Sequence, residues 1–284
     1  MYDGVCPSDS PVAFAVHQRA RGTVRLGFRR RRGSTVLDDL YQEGALKARF
    51  PRPRPGTPPI AVLLNTAGGV AGGDALQTYV GAAPGAMATV TTQSAERIYR
   101  ALPDSAPSSI VSCVAVSDQA SIEWLPQETI VFDRANLARR LEAEIAADGT
   151  FLCCETIVFG RAAMGEKLER GNIADLIRIR RNGRLLLHDS LRLTGDIAGT
   201  LAHPAIANGA RGVSTLVLVS PDAEMRLCAF RAACAGTGAA YGASAWDGML
   251  VGRIVHHSLG SHRAAVVAGL AALRDGSLPR IWLT

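Results

Sequence analysis

Short apolar runs separated by turn signals recur along most of this chain, and this pattern limits the possible folds more than any other feature. From Ile60 to Phe159 each run is only a few residues long, and turns such as Ala83-Pro84-Gly85 and Asp148-Gly149 divide the runs. Regular spacing of this kind is typical of an all-β sandwich or of a coil of strands. We therefore predict strands at Ile60–Leu64, Gln77–Val80, Ala86–Gln93, Ser109–Val116, Ser121–Trp124, Thr129–Phe132, Leu141–Ala146 and Phe151–Phe159.

Two further features extend the strand-rich region. Apolar and polar residues alternate from Ala20 to Phe28, which predicts a half-buried strand. Farther along, Asn182-Gly183 joins the runs Asp175–Arg181 and Arg184–Asp189, and Asn-Gly between such runs is the strongest short-range hairpin signal. Together these features predict a mainly β fold.

The last quarter of the chain has a different pattern. Strands are predicted at Val213–Val219 and Met249–His256, and helices at Asp222–Cys234 and His262–Arg274. We expect a small α+β element there, packed on the β body. The chain is then one domain over residues 1–284, with the β body at about 20–211 and the α+β element at about 212–284.

The composition is that of a globular protein. Hydrophobic residues make up 48% of the chain and charged residues 20%, which excludes the charge-rich, apolar-poor signature of disorder. The longest apolar stretches, such as Ile60–Leu64, fall far short of the roughly 20 residues that a membrane span needs. Residues Met1–Ser10 lack a basic segment followed by an apolar one, so they do not resemble a secretory signal. We expect a cytoplasmic protein without a membrane partner.

The net charge of +6 comes partly from the run Arg29–Arg32. Such a run usually forms a solvated face or a strand edge, although docking on an acidic partner is an alternative. Nucleic-acid recognition is a third possibility, but binding of single strands uses aromatic side chains between the basic ones, and only Phe28 is nearby. We expect no nucleic-acid partner.

Neither the cysteines nor the histidines have the spacing of a metal site. Six cysteines are scattered without a CxxC pair, so we expect reduced and mostly buried thiols. His256 and His257 are adjacent and face opposite sides of a strand, so they cannot share one metal ion. A lone histidine is more often a surface or core residue than a ligand. The sequence also lacks the Gly-x-Ser-x-Gly and His-Glu-x-x-His motifs of common hydrolases.

A glycine-rich segment, Asn65-Thr-Ala-Gly-Gly-Val-Ala-Gly-Gly-Asp74, invites comparison with phosphate-binding loops. No Lys-Ser/Thr pair follows the glycines and the GxGxxG order is absent, so we do not expect nucleotide binding. The segment instead indicates a tight turn between strands, in which Asn65 and Asp74 hold turn amides.

Three polar segments follow. Thr91-Thr-Gln-Ser-Ala-Glu-Arg-Ile-Tyr-Arg100 reads as a polar strand, which fits either an internal hydrogen-bond network or the wall of a passage or interface. Trp124-Leu-Pro-Gln-Glu-Thr-Ile-Val-Phe-Asp133 and Glu155-Thr-Ile-Val-Phe-Gly-Arg-Ala-Ala-Met-Gly-Glu166 place carboxylates beside apolar residues. Glycosidase-type chemistry would need two carboxylates at a set separation. A hydrolase that uses Glu128, Glu155 or Glu166 is therefore the alternative function.

Taken together and in this order, these segments resemble the UreD family of urease accessory proteins, called UreH in some organisms. The likeness rests on NTAGGVAGGD, TTQSAERIYR, WLPQETIVFD, ETIVFGRAAMGE and the terminal LPRIWLT, and it spans about residues 20–284. Two departures concern local packing: Arg97 stands where the family has a lysine, and Cys153-Cys154 precede Glu155 where a tryptophan is common.

The resemblance implies a fold and a function. The fold is mainly β, with many strands wound into a helix-like, two-sheet body and a small C-terminal α+β element. The function is that of a non-enzymatic urease maturation factor, a scaffold that docks on apo-urease with UreF and the nickel-carrying GTPase UreG. It conducts nickel through an internal channel to the urease active site. Ni²⁺ then passes transiently, and no cofactor is bound tightly.

The matching motifs supply the candidate residues. The channel-lining or family-motif candidates are Asn65, Asp74, Thr91, Thr92, Gln93, Arg97, Tyr99, Arg100, Gln127, Glu128, Glu155, Arg161 and Glu166. Of these, we expect Thr91, Gln93, Glu128, Glu155 and Glu166 to line or support the channel. The carboxylates Asp74, Glu128, Glu155 and Glu166 are the candidates for transient contact with nickel, since Ni²⁺ accepts oxygen ligands and a carrier must release it. No residue is expected to be catalytic.

Overall fold

The structure, a computed structural model, describes residues 18–52, 56–161 and 164–283. The predictions for Met1–Ser10 and Cys6 and the final residue of LPRIWLT lie outside these ranges. The strands in chain order are β1 (Arg21–Arg31), β2 (Ser34–Gly44), β3 (Leu46–Arg49), β4 (Ile60–Asn65), β5 (Ala75–Ala82), β6 (Met87–Thr92), β7 (Glu96–Ile98), β8 (Ser108–Val116), β9 (Ser121–Leu125), β10 (Thr129–Val131), β11 (Asn136–Ile145), β12 (Thr150–Phe159), β13 (Arg170–Arg181), β14 (Arg184–Asp196), β15 (Gly212–Val219), β16 (Ala240–Trp246) and β17 (Met249–His256).

Three helices accompany the strands in the described residues. They are α1 (Ile197–Ala202), α2 (Leu227–Ala235) and α3 (Leu259–Leu273), and short 3₁₀ turns lie at Glu224–Arg226 and Arg280–Trp282. No helix within the described ranges is both long enough and apolar enough to cross a bilayer.

The strands form two mixed sheets. The first sheet has the order β14-β13-β11-β8-β5-β1-β2, and the second has the order β16-β17-β15-β12-β9-β6-β4-β3, with β7 and β10 attached beside β12. Between β4 and β13 the chain crosses repeatedly from one sheet to the other. Each return adds a parallel strand beside the previous one, so that Ala75 pairs with Ser109 and Ala138 pairs with Ala174. The predicted helix-like body of two sheets is confirmed.

The alternation within each strand explains why the two sheets face each other. Along β11, Leu137, Leu141 and Ile145 are buried, while Arg140 between them is exposed. Successive side chains of a strand point to opposite faces, so this period of two places one face of the sheet in the core. The core between the sheets includes Phe28 and Phe151.

The C-terminal element covers the outer face of the second sheet. Helices α2 and α3 pack together, α2 against β16 and α3 over β15 and β17, around a second apolar cluster that contains Leu216 and Leu270. The ring of Phe230 fills a slot between two glycines. A Cβ atom added at Gly252 would lie 2.4 Å from Phe230 Cζ, and one added at Gly269 would lie 2.8 Å from Phe230 Cε2. Both positions must stay small for this packing.

His262 is a core residue, as expected for a lone histidine. It is 2% exposed, and its Nε2 lies 3.2 Å from Ser214 Oγ and 3.3 Å from the Ile254 carbonyl oxygen. Burial lowers the pKa of His262, which favours the neutral ring.

Several predicted boundaries were wrong. The segment Thr91–Arg100 is not one strand, because β6 ends at Thr92 and the chain bends before β7. Thr92 Oγ1 donates to the Ser94 carbonyl at 3.1 Å, a local bond that replaces ladder pairing there. Helix α2 begins at Leu227 rather than Asp222, whose carboxylate instead binds Arg226 at 2.8 Å. Helix α3 begins at Leu259 rather than His262.

Candidate functional site

A cavity of about 260 Å³ lies between the two sheets. The first sheet contributes Thr78, Ser112 and Arg139 to its wall, and the second contributes Trp124 and Glu155. This lining mixes hydroxyl, amide and charged groups with apolar surface, so the cavity suits a polar occupant.

The structure brings together about half of the motif candidates at this cavity. Those that line it are Asn65, Thr92, Gln93, Arg97, Gln127 and Glu155. Those that do not line it are Asp74, Thr91, Tyr99, Arg100, Glu128, Arg161 and Glu166. The segments Thr92–Arg97 and Pro126–Gln127 therefore contribute the wall, while the glycine-rich segment contributes through its first residues.

A buried ion cluster forms one wall of the cavity. Arg139 Nη1 donates to Glu155 Oε2 at 2.7 Å and to Thr129 Oγ1 at 2.9 Å. On its other side, Arg139 makes a bidentate pair with Asp175, with both nitrogen–oxygen distances at 2.8 Å. The second Glu155 oxygen accepts the Trp124 indole N–H at 2.8 Å. Arg139 and Glu155, the members of this ion pair that line the cavity, are each 8% exposed.

Burial and charge compete at this cluster. Burial alone would lower the pKa of Arg139, but the carboxylates of Asp175 and Glu155 outweigh it and raise the pKa, so the guanidinium stays charged. Burial raises the pKa of Glu155, Arg139 opposes that shift, and the nearby Asp175 charge adds to it. The distances of 2.7 and 2.8 Å are those of charge-assisted bonds between the guanidinium and the two side chains.

Glu96 is a cavity residue that motif reasoning left out. Its two carboxylate oxygens accept from Asn65 Nδ2 at 3.1 and 3.2 Å, and burial raises its pKa. The signal was present, since Glu96 is the only carboxylate in TTQSAERIYR. Asn65 also holds the Ala67 amide through Oδ1 at 3.0 Å, as predicted for a turn residue.

The other three nickel candidates lie apart from the cavity, and each carboxylate already has partners. Asp74 accepts the backbone amides of Ala20 and Ala71, both at 2.8 Å, so its predicted turn role is confirmed. Glu128 pairs with Arg263 at 2.6 Å, and Glu166 pairs with Arg161 at 2.7 Å. Across the described residues, no three histidine, cysteine, aspartate or glutamate side chains group in a way that could hold a metal ion.

The ion pairs of the three candidate glutamates give no support to the hydrolase alternative. Glu128, Glu155 and Glu166 each pair with a different arginine, and of the three only Glu155 lines the cavity. Catalysis of glycoside transfer would need two carboxylates on opposite sides of one cleft. No observation in the described residues favours that alternative.

Tyr99 ties the glycine-rich turn to the rest of this region. Its hydroxyl donates to the Gly68 carbonyl at 2.8 Å, and its ring packs edge-on against Phe132 at 5.2 Å between centroids. A Cβ atom on Gly69 would lie 2.4 Å from the Tyr99 ring, and Gly69 has φ of 156°. Arg161 stacks on the other ring, 4.3 Å from the Phe132 centroid. Tyr99 and Arg161 are therefore structural supports of the motif region.

The remaining motif residues make few contacts. Arg97 and Arg100 are exposed, and Thr91 is 1% exposed with a hydroxyl that has no partner among the described residues. The basic run Arg29–Arg32 is also exposed, and Arg29 pairs with Asp38 at 2.7 Å. This exposure agrees with the predicted solvated face or strand edge.

The C-terminal motif packs directly on the loop that lines the cavity. Trp282 Nε1 donates to the Leu125 carbonyl at 3.1 Å. Arg263 on α3 bonds Gln127 Oε1 at 3.0 Å, and its guanidinium stacks on the Trp282 ring at 5.1 Å. The C-terminal segment and the Pro126–Glu128 loop are thus held by one guanidinium.

Replacing Arg263 with methionine should loosen this connection. The variant loses two charge-assisted bonds to Gln127 and Glu128, and we expect the free energy of unfolding to fall by about 1.5–3 kcal/mol. Hydrogen exchange at Ile281 and Trp282 should accelerate more than exchange in β8. Arg280→Met, at an exposed position beside Trp282, is the matched control and should change neither quantity. Equal protection of the C-terminal segment in both variants would contradict the role of Arg263.

Comparisons of the sequence with known proteins identify a family. The family model described as UreD urease accessory protein matches residues 20–283. The chain is 42% identical over 282 residues to a urease accessory protein UreD of Xanthobacter autotrophicus, and the alignment covers 98% of this chain and 96% of the relative. It is 44% identical over 273 residues to a UreD of Methylobacterium sp. strain 4-46, covering 94% and 96%. A UreD of Azorhizobium caulinodans is 42% identical over 265 residues, covering 93% and 97%. By sequence along nearly its whole length, and with the two-sheet fold expected for it, this chain belongs to the UreD family of urease accessory proteins.

Proposed function

We propose that this protein is a non-catalytic scaffold for urease maturation in the cytoplasm. It docks on apo-urease together with UreF and UreG and conducts nickel toward the urease active site. In this proposal Ni²⁺ is cargo that passes through the interior, and the protein holds no resident cofactor.

The cavity between the sheets is the observation that carries the proposal. Its wall combines carboxylates of Glu96 and Glu155 with hydroxyls of Thr78 and Ser112. Oxygen ligands that do not converge on one point can contact a divalent cation without trapping it. Motif segments distant in sequence supply this wall, which supports a role for the interior rather than for one surface loop.

Narrowing the cavity should reduce nickel delivery while leaving assembly intact. Ser112 lines the cavity from β8 and is 7% exposed, and Ser112→Leu adds apolar bulk there. We expect urease activity, measured in cells that lack the native gene and grow at limiting nickel, to fall by about tenfold, because the leucine side chain fills part of a close-packed cavity of about 260 Å³. Cys113→Leu is the matched control, because Cys113 is the next residue and faces the opposite side of the sheet.

Two measurements separate the parts of the proposal. A pull-down with UreF and UreG should recover Ser112→Leu as well as the unaltered protein, since the change lies inside the body. Loss of binding would mean that the variant is misfolded, and Thr78→Val, which removes a hydroxyl from the same wall with little change in volume, would then test the cavity. Full urease activity in cells without this gene, at limiting nickel, would overturn the maturation role itself.

A further inference from the structure

The buried cluster around Arg139 is a group of oxygen atoms arranged around one cation, and that cation is the Arg139 guanidinium. Four oxygen atoms accept from the guanidinium within 2.9 Å: two from Asp175, one from Glu155 and one from Thr129. The strands supply these groups from both sheets, because Arg139 and Asp175 are register neighbours on β11 and β13 while Glu155 lies on β12. The oxygen groups are therefore held in place by the body rather than by a loop.

The charges of the cluster do not balance. One guanidinium faces two carboxylates, which leaves a net charge of about −1 in a region shielded from solvent. The side chains of Arg139, Glu155 and Asp175 are 7%, 8% and 11% exposed. Without the guanidinium, the same groups present two carboxylates and a hydroxyl, which are the oxygen ligands that hard divalent cations take.

A second residue indicates that the cavity beside the cluster receives a polar occupant. Gln127 lines the same cavity and is 6% exposed, and its Nε2 has no hydrogen-bond partner among the described residues. Its Oε1 is held by Arg263 at 3.0 Å, so the orientation of the amide is fixed. A buried N–H donor of this kind, on a residue that lines the cavity, calls for an acceptor oxygen there.

We propose that Arg139 is a tethered counter-cation that fills a latent divalent-cation site made by Glu155, Asp175 and Thr129. The site opens on the cavity through Glu155 and Arg139, both of which line it. Because the guanidinium is part of the chain, it occupies these four oxygen atoms permanently. A passing ion can then contact only the other polar groups of the cavity, which bind it more weakly. The consequence for nickel rests on the proposed function: Arg139 keeps the interior from retaining the cargo.

Removal of the guanidinium tests the latent site directly. Purified full-length Arg139→Gln should bind about one additional Ni²⁺ per chain in equilibrium dialysis, with an affinity at least about tenfold above any site of the unaltered protein. Mn²⁺ should also bind but more weakly, following the usual order of divalent metals. Nickel should raise the melting temperature of Arg139→Gln, because binding to the folded state alone stabilises it.

Two controls make the result specific. Arg139→Gln combined with Glu155→Gln and Asp175→Asn removes both carboxylates and should bind no additional nickel. Arg192→Gln removes an exposed arginine from β14 and should behave as the unaltered protein. If Arg139→Gln is unfolded without metal, nickel should restore its circular dichroism spectrum. A folded Arg139→Gln without additional nickel, or an unfolded one that nickel does not restore, would overturn the proposal.

The same variants separate this inference from the proposed function. In cells at limiting nickel, Arg139→Gln should hold nickel and lower urease activity, and the triple variant should recover part of that loss. Additional nickel binding in dialysis without any change in urease activity would keep the latent site and reject the passage of nickel through the cavity. Unchanged dialysis would reject the site whatever the urease activity.

Discussion

Replacing Arg139 with methionine should lower the free energy of unfolding by about 3–5 kcal/mol, the usual cost of leaving buried charges without their partner. Among the described residues, Arg139 is the only ion-pair partner of Glu155 and Asp175, whose side chains are 8% and 11% exposed. Methionine matches much of the arginine stem, so the lost packing is small compared with the lost charge. Urea denaturation followed by circular dichroism measures the change.

The structure offers a control and a compensating variant for this result. Arg192→Met, at an exposed position, should stay within about 0.5 kcal/mol of the unaltered protein. Adding Glu155→Gln and Asp175→Asn to Arg139→Met should recover most of the stability, since replacing every charge of a buried cluster is commonly neutral. A single variant as stable as the triple variant would show that the cluster does not carry uncompensated charge.

The second large effect is expected at Phe230. Phe230→Ala should lower the free energy of unfolding by about 3–5 kcal/mol, because it removes a fully buried ring and leaves a cavity in the C-terminal cluster. Gly252 and Gly269 have no side chains to fill the space. The second sheet and helices α2 and α3 also pack against other elements, so they cannot move far enough to close the cavity left by the ring.

Hydrogen exchange locates the damage from Phe230→Ala. Amides of α3 and β17 should lose protection first, while those of β5 and β8 in the first sheet should keep it until global unfolding. Met225→Ala, at a residue that is 82% exposed, should leave both the stability and the exchange pattern unchanged. Uniform loss of protection in both sheets would mean that the two apolar clusters unfold as one unit.

The sequence identifies the buried strands well and the exposed ones poorly. Apolar runs such as Phe151–Phe159 predict β12, and they do so because both faces of that strand are buried. Strand β2 has acidic and polar residues along an exposed edge, and β16 is rich in alanine and glycine. Apolar and polar residues do not alternate in either strand. Both strands are recognised only in the structure, where β2 pairs with β1 and β16 pairs with β17.

The candidate site was predictable in part. Motif segments identified Asn65, Gln93, Gln127 and Glu155, all of which line the cavity. Arg139 was missed because the predicted strand began only at Leu141, whereas β11 begins at Asn136. Its partner Asp175 lies on a neighbouring strand of the first sheet, and Glu155 lies on the second. The three residues come together only when the two sheets pack, so no short sequence motif marks them.

The winding of the chain between the two sheets has a consequence during synthesis. Each parallel strand can stack on an earlier turn of the coil as the nascent polypeptide leaves the ribosome. Strand β12 is the exception, because residues Phe151–Phe159 are all buried and one edge pairs with β15, which is translated only after the β13–β14 hairpin. Until that strand emerges, an apolar edge is left open to other chains, and this interval is when the growing protein most needs a chaperone.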